Sequence, residues 1–189
     1  MVSNEIVNVL IKSKKDLDAA IDQLGNNKKK EIQNAIHNLN KRINGNYPIA
    51  YEHMKRSIDG KGNVKHAIGS KISDAILNSK ELKHYISTNV KASQCIAGQK
   101  LIFRANRDLT RTIQEVRFSG DIEISGKSAN VNLIISDTYD FRFDLIPKTK
   151  TIRGWALRYA GNAAWAAQNL KLMKSYKITI LVSGELNIH

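Results

Sequence analysis

The stretch Ser119–Ser136, SGDIEISGKSANVNLIIS, is the part of the chain that most restricts its fold. Ile122 and Ile124 share one face of a predicted strand, and the apolar run Val131-Asn132-Leu133-Ile134-Ile135 forms a second. Only the break at Gly126-Lys127-Ser128 separates them, which reads as a hairpin or a short loop. A parallel crossover needs about a dozen residues or more, so strands joined this closely are expected to lie antiparallel. The tail YKITILVSGELNIH adds one or two more strands, and Leu101-Ile102-Phe103 is a shorter apolar run. Thr112, Gln114, Val116 and Phe118 alternate loosely with other residues. Between Arg153 and Met173 an alanine-rich segment carrying Trp155, Leu157 and Trp165 predicts a helix that packs closely against a neighbour. Strands that follow strands directly place this part of the chain in the α+β class, with a curved, mainly antiparallel sheet and packed helices.

The N-terminal part has the other period. Ile6, Leu10, Leu17, Ile21 and Leu24 fit one helical face, and Ile32, Ala35, Ile36, Leu39 and Ile43 fit another. Gly25-Asn26-Asn27 turns the chain between them, giving a helical hairpin. Lys28 to Lys30 then read as a solvated helix start. Asn44-Gly45-Asn46-Tyr47-Pro48 is the linker, since Gly, Asn and Pro together disfavour continued helix. Residues 1–46 are thus expected to form a helical docking or import module, and 47–189 a mixed domain. Residues 48–57 predict a short helix, 59–63 a break, and 66–86 a further helix with Ile68, Ile72, Ile76 and Leu82 roughly on one side. No internal repeat or low-complexity tract is present.

Charge narrows the partners. The 189 residues include 30 Lys+Arg against 17 Asp+Glu, a formal net charge of +13. Such a chain is attracted to polyanions, whether nucleic acid, an anionic membrane or a phosphorylated ligand. The single cysteine, Cys95, excludes an internal disulfide, and in KASQCIAG it has no evident histidine partner, so it reads as a buried thiol. Residues 1–24 are broken by Lys12, Lys14, Lys15, Asp16 and Asp18 and do not read as a secretory signal. Release from a cell then calls for lysis or a dedicated route. Aromatic residues are 6% of the chain and form no basic–aromatic stripe for stacking on single-stranded nucleic acid.

The chemistry gathers in SDTYDF, Ser136–Phe141, where the second hairpin strand ends. On a strand Asp137 and Tyr139 point to one face and Asp140 to the other, unless the chain bends at Tyr139 and brings Asp140 back. Two carboxylates suit Mg²⁺, which prefers oxygen ligands and keeps several waters. They also suit general acid–base work. Asp close to a turn has a plainer use as a cap. Arg142, Arg153 and Arg158 follow, and a guanidinium fork pairs with phosphate oxygens or, equally, with Asp137, Asp140 and Asp144. No P-loop, zinc spacing or Gly-x-Ser-x-Gly competes. The five histidines, His37, His53, His66, His84 and His189, are scattered and each reads as a surface or internally satisfied residue.

Taken in order, GDIEIS, SDTYDF, IRG and YKITILVSGELNIH resemble the activity domain of the colicin M family of bacteriocins. The matching positions are Asp137, Tyr139, Asp140 and Phe141; Arg153 and Gly154; and Tyr176, Ile178, Gly184, Glu185 and Ile188. The likeness covers about residues 50–189 and is strong over 120–189. It implies a toxin that hydrolyses lipid II between undecaprenyl and pyrophosphate with Mg²⁺, acting in the periplasm of the target cell and blocking peptidoglycan synthesis. It further implies Asp137, Tyr139, Asp140 and Arg153 as catalytic residues, with Asp137 and Asp140 as metal ligands. Lipid II at the inner membrane is the implied partner, with an immunity protein in the producer and no nucleic acid. The family keeps a histidine directly before its arginine, and here that position is Ile152. The segment FRFDLIPKTKTI is also longer than in colicin M itself, and the candidate substitutes for the missing histidine are Asp144, on that segment, and His189. The alternative is a non-catalytic basic relative that binds anionic membrane or nucleic acid.

Overall fold

A computed structural model of the chain describes residues 26–43, 45–141 and 162–188. The first helix of the expected hairpin lies outside these residues; the second is α1, Asn26–Ile43. The described residues form two compact units. One comprises those within 1–45, 54–61 and 140–175, and the other those within 46–53, 62–139 and 176–189.

The larger unit is built on an open five-stranded sheet. Its strands are β1 (Val64–His66), β2 (Gln94–Ile102), β3 (Glu115–Ser125), β4 (Ser128–Tyr139) and β5 (Tyr176–Asn187), in the order β1-β5-β4-β3-β2. The hairpin is present as β3–β4: Ser125 pairs with Ser128, and only Gly126 and Lys127 turn the chain. Gly126 has φ 58°, the left-handed value that a two-residue II′ turn needs at its first position. The pairs β2–β3, β3–β4 and β4–β5 are antiparallel, whereas β1–β5 is parallel, so the sheet is mixed. β1 was not legible as a strand because three residues carry no alternation.

The alternation of β4 is almost unbroken, with Ala129, Val131, Leu133, Ile135 and Tyr139 buried. This inner face receives α3 (Lys71–Leu77), α4 (Lys80–Asn89) and α5 (Arg107–Ile113) through Ile72, Ile76, Leu82, Ile86, Leu109 and Ile113, none more than 2% exposed. Each such side chain, buried, contributes about 1.5–3 kcal/mol. The single helix predicted over 66–86 is therefore two helices preceded by a strand. Ser70 caps α3 and Ser79 caps α4, each accepting an N–H in the first turn, from Ser73 and Leu82 respectively. The apolar spacing continues across this break, which is why periodicity alone runs the two together.

Short β1 leaves much of β5 as an edge, and side chains continue the pairing. Asn63 Oδ1 accepts from Lys177 N–H at 2.9 Å, and Ser73 Oγ donates to the Leu181 carbonyl at 2.8 Å. They flank the paired segment and blunt an edge that would otherwise offer unpaired backbone. Cys95 is exposed on β2, contrary to the buried thiol expected. A hydrogen bond to Asp121, that residue's charge and slight burial raise its pKa, which makes it a poor nucleophile.

In the smaller unit, α1 contributes Ile32 and Ile36, and α2 (Pro48–Ile58) contributes Met54 from its C-terminal end. They pack with Ala163, Ala164, Ala166 and Ala167 of α6, whose described residues are 162–169. Alanine at four of five consecutive positions lets neighbouring backbones approach closely. Among the described residues no helix is long and apolar enough to cross a membrane.

Candidate functional site

The site is assembled where β4 and β5 meet at the Tyr139–Tyr176 pair. Asp137 lies opposite Ile178 of β5, and Ile178 in turn lies opposite Val64 of β1. Asp137 is half-buried on the inner face that also carries Tyr139, as strand alternation predicts. Its Oδ1 accepts the Thr138 N–H at 2.8 Å. Tyr139 is buried at the last position of β4, and Asp140, exposed, follows it. Arg153, Asp144, His189 and Ile152 lie outside the described residues.

Two histidines come to this strand end. His66 is half-buried on β1, opposite Ile180. His53, 3% exposed, comes from α2. The first turn of α2 is held by Asp108, whose carboxylate accepts the N–H of Ile49 at 3.0 Å and of Ala50 at 2.8 Å. A carboxylate at a helix N-terminus satisfies orphan donors and meets the positive end of the dipole. Asp108 is itself placed by Asn106, which caps α5 by accepting the N–H of Asp108 and of Leu109. The Arg111 guanidinium lies 3.9 Å from the centre of the Tyr47 ring, one residue before α2 begins.

The Tyr176 hydroxyl holds His53 at two points, one on the ring and one on the backbone. His53 Nδ1 lies 2.7 Å from the Tyr176 hydroxyl, which also donates to the His53 carbonyl at 3.0 Å. The hydroxyl has one proton and can donate to only one of the two, so the role of Nδ1 follows the tautomer of the ring. The rings form a compact group. His53 is 5.1 Å from His66, 5.7 Å from Tyr139 and 6.0 Å from Tyr176, centroid to centroid, and the two tyrosines are 5.3 Å apart. Burial, with a smaller contribution from Tyr176, pushes the Tyr139 phenol well above its ordinary pKa, so it stays protonated and can donate a hydrogen bond.

The arrangement therefore combines a half-buried carboxylate, a half-buried imidazole, a buried imidazole held by a tyrosine hydroxyl and a phenol held as a donor. This is acid–base equipment. Asp137 offers one oxygen ligand for Mg²⁺, but among the described residues no group of three or more His, Cys, Asp and Glu side chains is gathered to hold a metal. The sequence pattern picked out Asp137 and Tyr139 but treated His53 and His66 as scattered. The nearest signal was Tyr176, already one of the ordered motif positions.

No protein-family model and no curated protein matches the chain. Among solved structures it is similar to PaeM, a colicin M-like bacteriocin produced by Pseudomonas aeruginosa, with 15% identity and a TM-score of 0.33. The match covers 75% of this chain and 52% of PaeM, so the chain spans about half of that protein's length. A likeness at that score fixes neither fold nor activity.

Proposed function

We propose that the chain is a bacteriocin-type hydrolase that cleaves lipid II between undecaprenyl and pyrophosphate. The observation that carries this reading is the contact of His53 with both His66 and Tyr139 at the end of the strand that bears Asp137. An imidazole is thereby available although position 152 is isoleucine. In this proposal the half-buried Asp137 and His66 are the catalytic residues that reach substrate and water. His53, Tyr139 and Tyr176 are positioning residues, each too buried to meet a substrate directly. Water adds across the scissile bond, releasing undecaprenol and the pyrophosphorylated disaccharide peptide, and His66 moves the proton between water and leaving group. Arg153 is assigned to the pyrophosphate. Mg²⁺, with Asp137 and Asp140 as its carboxylate ligands, is part of the proposal and when bound would neutralise pyrophosphate charge. The target cell's periplasm is the proposed place of action, and an immunity protein in the producer the proposed partner.

The test is purified full-length protein with lipid II and Mg²⁺, read as undecaprenol released. Asp137→Asn and His66→Gln are expected to lower release at least about 100-fold, the lower range for losing acid–base assistance. No release from the unaltered protein, or full release from both variants, overturns the reading. The net charge of +13 favours a second reading, a basic protein that binds anionic membrane or nucleic acid without catalysis. Binding that collapses with salt and ignores Asp137→Asn is its signature.

A further inference from the structure

The sheet has a second face, opposite the one that packs on α3, α4 and α5. Its side chains alternate with the buried ones and are mostly exposed. Ile134, 52% exposed, stands at its middle, opposite half-buried Leu181. Among the described residues the only other exposed large hydrophobic is Ile68.

Charge on this face is sorted along the strands. On the side of Ile134 toward the β3–β4 turn lie Asp121, Glu123 and Glu185, all exposed. No ion pair among the described residues engages them. On the other side lie Arg117, Lys177 and Lys65, also exposed, and there Lys100 pairs with Glu115 at 2.8 Å. Lys127 stands in the turn itself, past the strand ends. The two sides match in position. Asp121 lies opposite Asn132 and Arg117 opposite Ser136, each two residues along β4 from Ile134. Glu185 lies opposite Asn130 and Lys177 opposite Thr138, each four residues away. A depression of about 320 Å³ opens at the acidic end, lined by Asp121, Glu123, Asn130, Asn132 and Ser183 among others.

A polyanion does not fit such a face. The four carboxylates of Asp121, Glu123, Glu185 and Glu115 balance the four cations of Arg117, Lys177, Lys65 and Lys100, in a chain whose net charge is +13. What complements a face whose charge reverses about its midpoint is the same face turned end for end.

We propose that this face binds a second copy of the chain through a two-fold axis that runs between the two sheets, perpendicular to the strands, at the level of Ile134. The axis lays β3 over β3 and β5 over β5 with their ends exchanged. Ile134 and Leu181 then meet their own counterparts at the centre. Asp121 faces the partner's Arg117, Glu185 faces the partner's Lys177, and Glu123 comes to the partner's Lys100–Glu115 pair. The acidic depression receives the long cationic side chains. Four strands about 4.8 Å apart and about ten residues long, at about 3.3 Å per residue, offer about 600 Å² per copy. The two copies together bury about 1,200 Å², the lower edge of a stable interface, so the dimer is weak and reversible. Asp137, Tyr139 and His66 lie on the opposite, inner face, so the inference does not rest on the hydrolase reading.

Sedimentation velocity of the full chain at about 1–200 μM tests this, in salt that shortens the Debye length to about 8 Å and screens the +13 of each copy. A monomer–dimer equilibrium is expected. Ile134→Lys should raise the dissociation constant at least about tenfold, with the thermal midpoint held because the position is exposed. Glu185→Lys and Lys177→Glu each bring like charges together and should weaken the dimer at least about tenfold as well. These two residues stand eight positions apart on one strand and cannot pair within a chain. The double variant Glu185→Lys/Lys177→Glu exchanges the pair and should return the constant to within about threefold of the unaltered value. Should Ile134→Lys lower the thermal midpoint, the charge exchange decides alone. A chain that stays monomeric throughout overturns the proposal, as does a dimer untouched by a folded Ile134→Lys. So does a double variant that stays as dissociated as the singles, since the end-for-end alignment is what brings the two residues together.

Discussion

Tyr176 holds His53 at both its ring and its backbone, through a 2.7 Å contact with Nδ1 and a 3.0 Å bond to the carbonyl. A residue of β5 thereby holds in place a histidine 123 positions earlier. Tyr176→Phe keeps the ring stacking and deletes only the hydroxyl, leaving a buried imidazole nitrogen and the His53 carbonyl without that partner. The expected cost is about 1–3 kcal/mol, measured by urea denaturation. If His53 positions the site as proposed, lipid II cleavage falls further than this loss of folded protein explains, with kcat lowered more than KM is raised.

Asp108 gives a second prediction, one step further from the site. Its carboxylate accepts two first-turn N–H groups of α2, those of Ile49 and Ala50, which precede His53 by four and three positions. Asp108→Ala leaves both donors orphaned and removes the favourable charge at the helix N-terminus, an expected loss of about 0.5–2 kcal/mol. Asp108→Asn keeps one acceptor and should fall between. Equal stability of all three proteins in urea would contradict the capping role.

How far the site was readable follows from these two contacts. β3 and β4 run 11 and 12 residues with regular alternation, so their pairing, the turn at Gly126 and the shared face of Asp137 and Tyr139 were all legible. The site's other half depends on long-range contacts. His53 sits on a helix whose periodicity reveals a buried face but not what it meets. His66 sits on a strand of three residues, too short to show a period, whose parallel pairing with β5 is set by tertiary packing. The exposure of Cys95 was illegible for a similar reason: β2 is an edge strand, and its place in the sheet follows from the whole topology.

Glu81 provides a pH-dependent prediction. Burial acts to raise its pKa, but the N–H groups of Ala105 and Arg104, both donating to Oε1 at 2.6 Å, outweigh it and hold the carboxyl below its ordinary value. A depressed folded-state pKa stabilises the fold above the unfolded value and loses that contribution as pH falls through the folded one. The window therefore opens near pH 4.5 and extends downward. Glu81→Gln, which keeps an acceptor but no charge, should be less stable than the unaltered protein at pH 7. The two should converge in strong acid, once Glu81 is protonated in the folded protein as well. Urea midpoints at the two pH values check this; a gap that stays constant argues against the charged interaction.

Gly120 and Gly184 predict an order of tolerance. A Cβ on Gly120 would stand 2.0 Å from the Asn132 carbonyl oxygen, a backbone atom of the paired strand that cannot turn aside. On Gly184 it would stand 2.7 Å from Leu77 Cδ2, the tip of a side chain that can rotate. Both glycines have positive φ, 143° and 156°, so alanine is strained at either. Gly120→Ala is expected to cost about 3 kcal/mol or more, at or beyond the top of the range for overpacking, and Gly184→Ala less. Because the second clash is with one side chain, Gly184→Ala combined with Leu77→Ala should cost less than the sum of the single changes, the coupling expected of residues in contact. Gly120→Ala has no such partner to trim. Urea denaturation of the four proteins reads the order directly, and a reversal would mean that the β3–β4 backbones are not as close as described.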